Sequence, residues 1–301
     1  MRRKFGFWGA GVLFALAVAG FFSGPAFSRG GNDFHFAVLG DRTGSAMPQI
    51  YGRVWREVAM LSPDFAINIG DTIQGGDDAR AETEWQELRA ILRKYASFPF
   101  YFTPGNHDIW SDKSRELFER ETGRRSFYSF NVQDAHFTVL DNSRTLDLDE
   151  EQLKFLEKDL RRNRHRRPKF IFFHKPYWVV FLKAGSGEFP LHRLARQYGV
   201  DQIISGHAHQ FMRMERDGIG YVALGSSGAH FRRDLTPAEG FEKGAFYHFA
   251  WVRVKGAKVQ VTIKEIGGPA GQGRMFRAED WDADGPKFDT ADPALKDEPE
   301  T

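Results

Sequence analysis

Short apolar runs of strand length alternate with amphipathic stretches through the first two-thirds of the chain. FAVL (36–39) and FAINI (65–69) read as buried strands, and each leads through a glycine to an aspartate, Asp41 and Asp71. Between them, residues 46–61 place Ile50, Val54, Val58 and Leu61 on one helical face. Residues 81–95 read as a helix with a charged outer face, and FPFYF (98–102) as a strand running into a Pro-Gly turn. SFYSFNV (126–132) and HFTVLDN (136–142) alternate as an antiparallel pair. Asp149 with Gln152 three residues on has the spacing of a helix cap, opening a helix with Leu153, Leu156 and Leu160 inward. KFIFFHKP (169–176) is a buried strand ending in His174, 190–198 a helix, and DQIISGHAH (201–209) a further strand ending in histidines. From 211 to 265 the pattern becomes consecutive alternating strands with glycine-bearing turns. Strand–helix pairs followed by strands, with no internal repeat, predict one layered α/β domain over separate domains.

The two ends differ from this body. MRRK, then the uncharged apolar run FGFWGAGVLFALAVAGFF, then Ala26-Phe27-Ser28, has the three-part layout of a bacterial secretory signal. The run is nearly long enough to span a bilayer, so residues 1–28 are read as a signal peptide or, alternatively, an uncleaved membrane anchor. Arg2-Arg3 faintly resembles a twin-arginine export signal. The domain itself is placed at 29–266, and 267–301, with GGPAGQG and an acidic, proline-bearing stretch, is expected to be a flexible tail. An exported, periplasmic or extracellular location follows as an expectation.

Removing residues 1–28 takes away three basic and no acidic residues and moves the formal charge from +2 to −1. No nucleic-acid partner is expected of so nearly neutral a domain. The basic run RRNRHRRPK (161–169) reads instead as a helix C-terminus, where the helix dipole favours cations. With no cysteine, disulfides, thiolate metal sites and cysteine nucleophiles are excluded.

Five strand ends carry side chains able to bind metals: Asp41, Asp71, Asn106-His107-Asp108, His174, and His207-Ala208-His209. Singly, an Asp after Gly is a turn former and a His after an apolar run is a core histidine. Together they point to one crevice, because neighbouring strand ends of an open α/β sheet converge. Carboxylate, amide and imidazole suit Mn, Fe or Zn. In this order, GDRT, GDTI, GNHD, FFHKP and GHAH, the motifs resemble the calcineurin-like metallophosphoesterases, over residues 34–255.

That resemblance implies a four-layer α/β/β/α sandwich and an enzyme that hydrolyses phosphomonoesters or phosphodiesters. It implies two metal ions, Mn or Fe foremost and Zn possible, bridged by Asp71. Asp41 and His209 would complete the first metal's ligands, and Asn106, His174 and His207 the second's. A hydroxide shared by the metals would attack phosphorus, with His107 as general acid on the leaving alcohol and Asp108 orienting it. The chain departs from the pattern at Thr43, where Asp-x-His would place a histidine. Purple acid phosphatases also lack that histidine and use a tyrosine at the position of Gln74. Gln74 as ligand, water in its place, or a lost first site all remain open; the last leads to the alternative of a one-metal phosphate- or nucleotide-binding protein. Arg42 is a candidate for substrate phosphate or for a neighbouring carboxylate. Lys175, Tyr177, Trp178 and His230 are candidates for a substrate pocket, with core or surface roles as the alternatives. LDNSRT (140–145) is set aside as a phosphatase nucleophile, because Ser143 stands where that motif needs a second aspartate.

Overall fold

The apolar runs pair into two sheets. The computed structural model describes residues 32–185, 188–230 and 242–266, and the backbone of short strands at 275–276, 281–282 and 285–286. In the first sheet, β1 (Asp33–Leu39), β2 (Phe65–Asn68) and β3 (Phe100–Tyr101) lie parallel. The second contains β4 (Tyr128–Val132), β5 (Ala135–Val139), β6 (Lys169–Phe172), β7 (Gln202–Ser205), β8 (Phe211–Arg216), β9 (Ile219–Ala223) and β10 (Glu242–Gly244), in the order β10-β8-β9-β7-β6-β5-β4. Antiparallel β11 (His248–Lys255), β12 (Lys258–Glu265) and β13 (Met275–Phe276) complete the first, whose order is β13-β12-β11-β1-β2-β3.

The sheets face each other through phenylalanines. Phe36 stacks on Phe65 at 4.8 Å between centroids and meets Phe170 edge-on at 5.3 Å. Each ring removed from water contributes about 1.5–3 kcal/mol. Helices α1 (Ile50–Leu61), α2 (Ala81–Tyr95) and α3 (Asp112–Thr122) cover the outer face of the first sheet with Val54, Trp55, Val58, Trp85 and Phe118. Helices α4 (Glu150–Arg162), α5 (Trp178–Lys183) and α6 (Pro190–Tyr198) cover the second with Leu156, Leu160, Trp178 and Leu191. The result is the α/β/β/α sandwich expected from the motifs.

The Asp149 cap is present, its carboxylate accepting from the Gln152 N–H at 2.8 Å. Two helices carry no legible period. The stripe of α3 is only Ser114, Phe118 and Thr122, held at its start by a Ser111–Ser114 capping box. α5 has six residues, too few to show one. β5 stops at Val139, short of 142, because Asp141 and Asn142 leave the ladder for side-chain work near the site.

Among the described residues no helix is long and apolar enough to cross a membrane. The expectations for 1–28 lie outside the described residues, as do those for 267–301 apart from the short strand segments. Met275 and Phe276 pair with Lys264 and Ile263, so the sheet continues beyond 266.

Candidate active site

All five motifs lie at the C-terminal ends of strands: Asp41 after β1, Asp71 after β2, Asn106–Asp108 after β3, His174 after β6 and His207–His209 after β7. Asp41, Asp71, His207 and His209 have φ of 48°, 53°, 67° and 51°. Non-glycine residues in this left-handed region are held there by their surroundings, and such strain gathers at functional sites. Gly105 is needed for a different reason: a Cβ there would overlap the Asp71 carboxylate.

Two groups of ligand atoms share Asp71. Asp71, His174 and His207 form one, and Asp41, Asp71 and His209 the other, each with its atoms within 4.8 Å of one another. His174 is buried, and its Nδ1 donates to the Ile69 carbonyl at 2.8 Å. That bond turns Nε2 inward, 3.2 Å from each of Asp71 Oδ2, Asn106 Oδ1 and His207 Nδ1. With His174 neutral and His207 carrying its proton on Nε2, four lone pairs face one point, an arrangement that a bound cation satisfies; without one, a proton on His174 Nε2 held by Asp71 takes its place. His209 Nδ1 donates to the His230 carbonyl at 2.9 Å, and its Nε2 lies 3.8 Å from Asp41 Oδ1. The residues present thus fit two metal ions, one at each group, with Asp71 common to both groups.

The electrostatics express the same shortage of positive charge. Burial, helped by Asp71, pushes Asp41 up to about 8 despite nearby His174. Burial also works to raise Asp71, but His174 and His107 outweigh it and hold Asp71 at about 2. For His174 burial works downward, and Asp71 and Asp41 overcome it to lift the imidazole to about 9. His207 is lowered to about 4 by burial and by His174.

His107 is partly exposed, with Nε2 4.0 Å from Asp71 Oδ2. Its Nδ1 donates to the backbone carbonyl of Gln74, and its N–H to Asp71 Oδ1 at 2.9 Å. Asp108 does not touch the His107 ring. Its buried carboxylate accepts from the N–H groups of Thr72 and Gly105 at 2.8 Å and of Ile73 at 3.2 Å. It therefore holds the loop that carries the orienting carbonyl, and the orienting contact expected of Asp108 falls to Gln74.

Thr43 is buried, its hydroxyl 2.7 Å from the Ile73 carbonyl and 3.1 Å from that of Asp71. Gln74 is exposed, with Oε1 3.5 Å from the Gly44 N–H. Arg42 donates from Nη1 to the Thr72 carbonyl at 3.2 Å, lies over the Tyr51 ring, and has Nη2 3.8 Å from Glu87. Lys175 Nζ donates to the carbonyls of Ser143 and Thr145, while Trp178 is buried with Nε1 on Ser205 Oγ at 3.1 Å. Tyr177 is buried, and His230 contributes the carbonyl beneath His209. A residue not singled out from sequence is Asn142, whose Oδ1 accepts from the N–H groups of His174 and Lys175 at 3.1 and 2.9 Å. Its signal was a polar residue just past an apolar strand, in the LDNS stretch.

Buried Asp41, Asp71 and His174, half-buried His209 and exposed His207, all at strand ends, form two groups able to hold a cation that share Asp71, the kind of centre two-metal hydrolases use. A family model, calcineurin-like phosphoesterase, matches residues 32–211, and the chain belongs to that family. Purple acid phosphatase 21 of Arabidopsis thaliana is 25% identical over 211 residues, covering 58% of this chain and 48% of its own length. Acid phosphatase type 7 of Mus musculus is 27% identical over 210 residues, 59% of this chain and 47% of its own. The chain spans about half the length of these curated relatives. The structure of purple acid phosphatase PPD1 from yellow lupin (Lupinus luteus) seeds shares the fold, with a TM-score of 0.64 at 15% identity over 82% of this chain and 54% of its own.

Proposed function

We propose that this chain hydrolyses phosphate esters, monoesters or diesters, with water as the entering group and His107 as general acid, at a centre holding two metal ions. Mn or Fe best matches the mixed oxygen–nitrogen donor set, and Zn is compatible. The observation that carries the reading is His174 Nε2 facing Asp71, Asn106 and His207 at 3.2 Å, four atoms of ligand type converging on one point. When bound, the cations supply charge that neutralises phosphoryl oxygens and lowers the pKa of the entering water.

The chain's own residues do the rest. Asp71 is the shared ligand, with Asp41 and His209 on one side and Asn106, His174 and His207 on the other. Ile69 and His230 carbonyls fix which nitrogen of His174 and His209 faces the centre. Asn142 holds the backbone at His174 in place. The Gln74 carbonyl accepts from His107 Nδ1, so Nε2 is the atom that delivers the proton to the departing alkoxide. Export across a membrane, by the basic-then-apolar segment at 1–28, is part of the same proposal.

A second reading has its own observation. Thr43 spends its hydroxyl on carbonyls and Gln74 Oε1 lies by Gly44, so the Asp41–Asp71–His209 group has three side-chain ligands. A first metal held that weakly would leave a one-metal phosphate or nucleotide binder. The fold is compatible with it, since GAP50, named as the anchor in the inner membrane complex of Plasmodium, has a TM-score of 0.62 to this chain at 14% identity over 82% of this chain and 88% of its own. Two measurements decide. Metal analysis after Mn²⁺ reconstitution should give two ions per chain, and hydrolysis of an alkyl phosphate ester should vanish in His107→Ala with metal content unchanged, while bis(para-nitrophenyl) phosphate, whose leaving group needs little protonation, keeps most of its turnover. One ion per chain and no turnover would establish the binder instead.

A further inference from the structure

The parallel strands carry the site at one end of the sandwich, and the opposite end, the base, has a different character. Helices α1, α2, α4 and α6 each return the chain from a strand's C-terminal end, so their last turns lie at the base. Those turns hold Arg93 and Lys94 in α2, Arg161 and Arg162 in α4, and Arg196 in α6. Five of the seven residues from 161 to 167 are arginine. Lys255 and Lys258, both exposed, flank the β11–β12 turn beside them. A cavity of about 450 Å³ opens there, lined by Asn32, Asp134, His165, Arg166, Arg167 and the Gly256–Ala257 turn. Arg166 Nη1 donates to the Gln133 carbonyl, yet its Nε has no acceptor in the fold. The acidic groups at this end are fewer than the cations: Asp201 lies 3.7 Å from Arg167, Asp33 3.7 Å from Arg253, Asp217 3.9 Å from Arg196, which also pairs with Glu188 at 3.3 Å, Asp64 accepts the His35 N–H, and Asp134 lines the cavity. α1 ends at the base with Met60 and Leu61, 75% and 39% exposed.

Cations sharing one end of a protein with exposed apolar side chains are what it presents to an anionic bilayer surface. The position of the N-terminal segment supplies a second, independent reason. Asn32, at the rim of the cavity, is joined to an uncharged apolar run of 18 residues, Phe5–Phe22, by the nine residues 23–31. Nine residues reach at most about 30 Å. An apolar run of that length suits a bilayer, and Arg2, Arg3 and Lys4 before it favour the cytoplasmic side for the extreme N-terminus. The base is then the face within reach of the headgroups, while the site lies a strand's length farther off, about 23 Å along β1.

We propose that the base of the sandwich docks on an anionic lipid surface, with the apolar N-terminal segment retained as its tether and the catalytic edge facing away from the membrane. The inference does not depend on the phosphoesterase reading. It is tested with the full chain in proteoliposomes, and the absence of cysteine makes single labels specific. A fluorophore on Ala257→Cys reports the base, and one on Ala184→Cys, in the loop after α5, reports the catalytic edge. Headgroup-quencher lipid should quench the basal label in phosphatidylglycerol vesicles, and much less in phosphatidylcholine or at high salt, where screening shortens to a few ångströms. Combined R161E, R162E and R164E should lower the docked population by about tenfold or more. A thermal melt matching the parent chain would show that the fold survives. The proposal is overturned if the edge label is quenched in place of the basal one, or if basal quenching ignores lipid charge and salt. It is equally overturned if cells yield only an aqueous species lacking the apolar run that phosphatidylglycerol vesicles do not retain.

Discussion

Replacing Thr43 by valine keeps the side-chain shape and removes one hydroxyl. In the structure that hydroxyl lies 2.7 Å from the Ile73 carbonyl and 3.1 Å from the Asp71 carbonyl. Asp71 O also accepts from the Arg42 N–H at 3.1 Å, so it keeps a partner. Ile73 O loses its donor in a buried place, which costs about 1–3 kcal/mol. The next carbonyl along is that of Gln74, the one that orients His107. Any relaxation of the 73–74 peptide toward another donor therefore tilts the imidazole. A loss of about 1.4 kcal/mol in the transition state is tenfold in rate. It should be selective: para-nitrophenolate leaves with little protonation, whereas an alkoxide needs the acid. The assay compares kcat/KM for a para-nitrophenyl ester and an alkyl ester of the same phosphate, alongside urea unfolding. We expect a loss of about threefold or less on the former and about tenfold on the latter, both recovered in Thr43→Ser. Equal losses on the two esters, or no recovery by serine at unchanged stability, would refute a positioning role through Gln74 and reduce Thr43 to a stabilising contact.

Asn142→Ala should weaken the metal held by His174 by about 10–100-fold in an equilibrium metal titration, because the backbone that aims that ring loses its acceptor. Gly105→Ala should abolish metal binding, since its Cβ would occupy the place of the Asp71 carboxylate; calorimetric titration with Mn²⁺ checks it. Chelation should lower the melting temperature reversibly, because Asp41 and Asp71, both buried, then face each other without a cation. Far from the site, burial works to raise Asp159, but hydrogen bonds from His136, Thr138 and Ser129 prevail and hold it below the usual carboxylate range. Its contribution is present above the unfolded pKa near 3.9 and lost as pH falls through the folded value. The melting-temperature gap between the parent chain and Asp159→Asn should therefore begin to narrow as pH drops below about 4 and close only below the folded value, where both carry an uncharged side chain.

The convergence of the candidate ligands was legible because each ends an apolar run, and strand ends in a parallel sheet have one place to converge. The inner phenylalanines and the stripes of α1, α2 and α4 were legible for the same reason, that burial imposes a period a sequence keeps, except at Leu61, which the period puts on the α1 stripe but which the helix's last position leaves 39% exposed. α3 was not, because its inward face is Ser114, Phe118 and Thr122 in an otherwise charged segment, and its existence rests on Ser111 and on packing against α2. The strand-end motifs also left unread how the ligands are aimed. The groups that do this are carbonyls of Ile69, Gln74 and His230 and the amide of Asn142. A backbone carbonyl has no residue-type signature, so nothing in the letters at 69, 74 or 230 marks it.

Asp108 and Thr43 show what that omission does to an argument from motif alone. The histidine–aspartate adjacency in GNHD invites a direct bond, yet at adjacent positions the two side chains diverge, and Asp108 instead collects N–H groups across the loop. Thr43, read from the pattern as a missing ligand, takes the carbonyls on the other side of the same segment. Residues 71–74 are thus clamped from both faces, donors on one and an acceptor on the other. That segment carries both the shared carboxylate of Asp71 and the carbonyl that sets the His107 tautomer. On the proposed mechanism this segment couples metal placement to proton delivery through four residues of backbone, and the Thr43 hydroxyl, standing where the family motif has a histidine, serves that coupling by holding the 73–74 peptide.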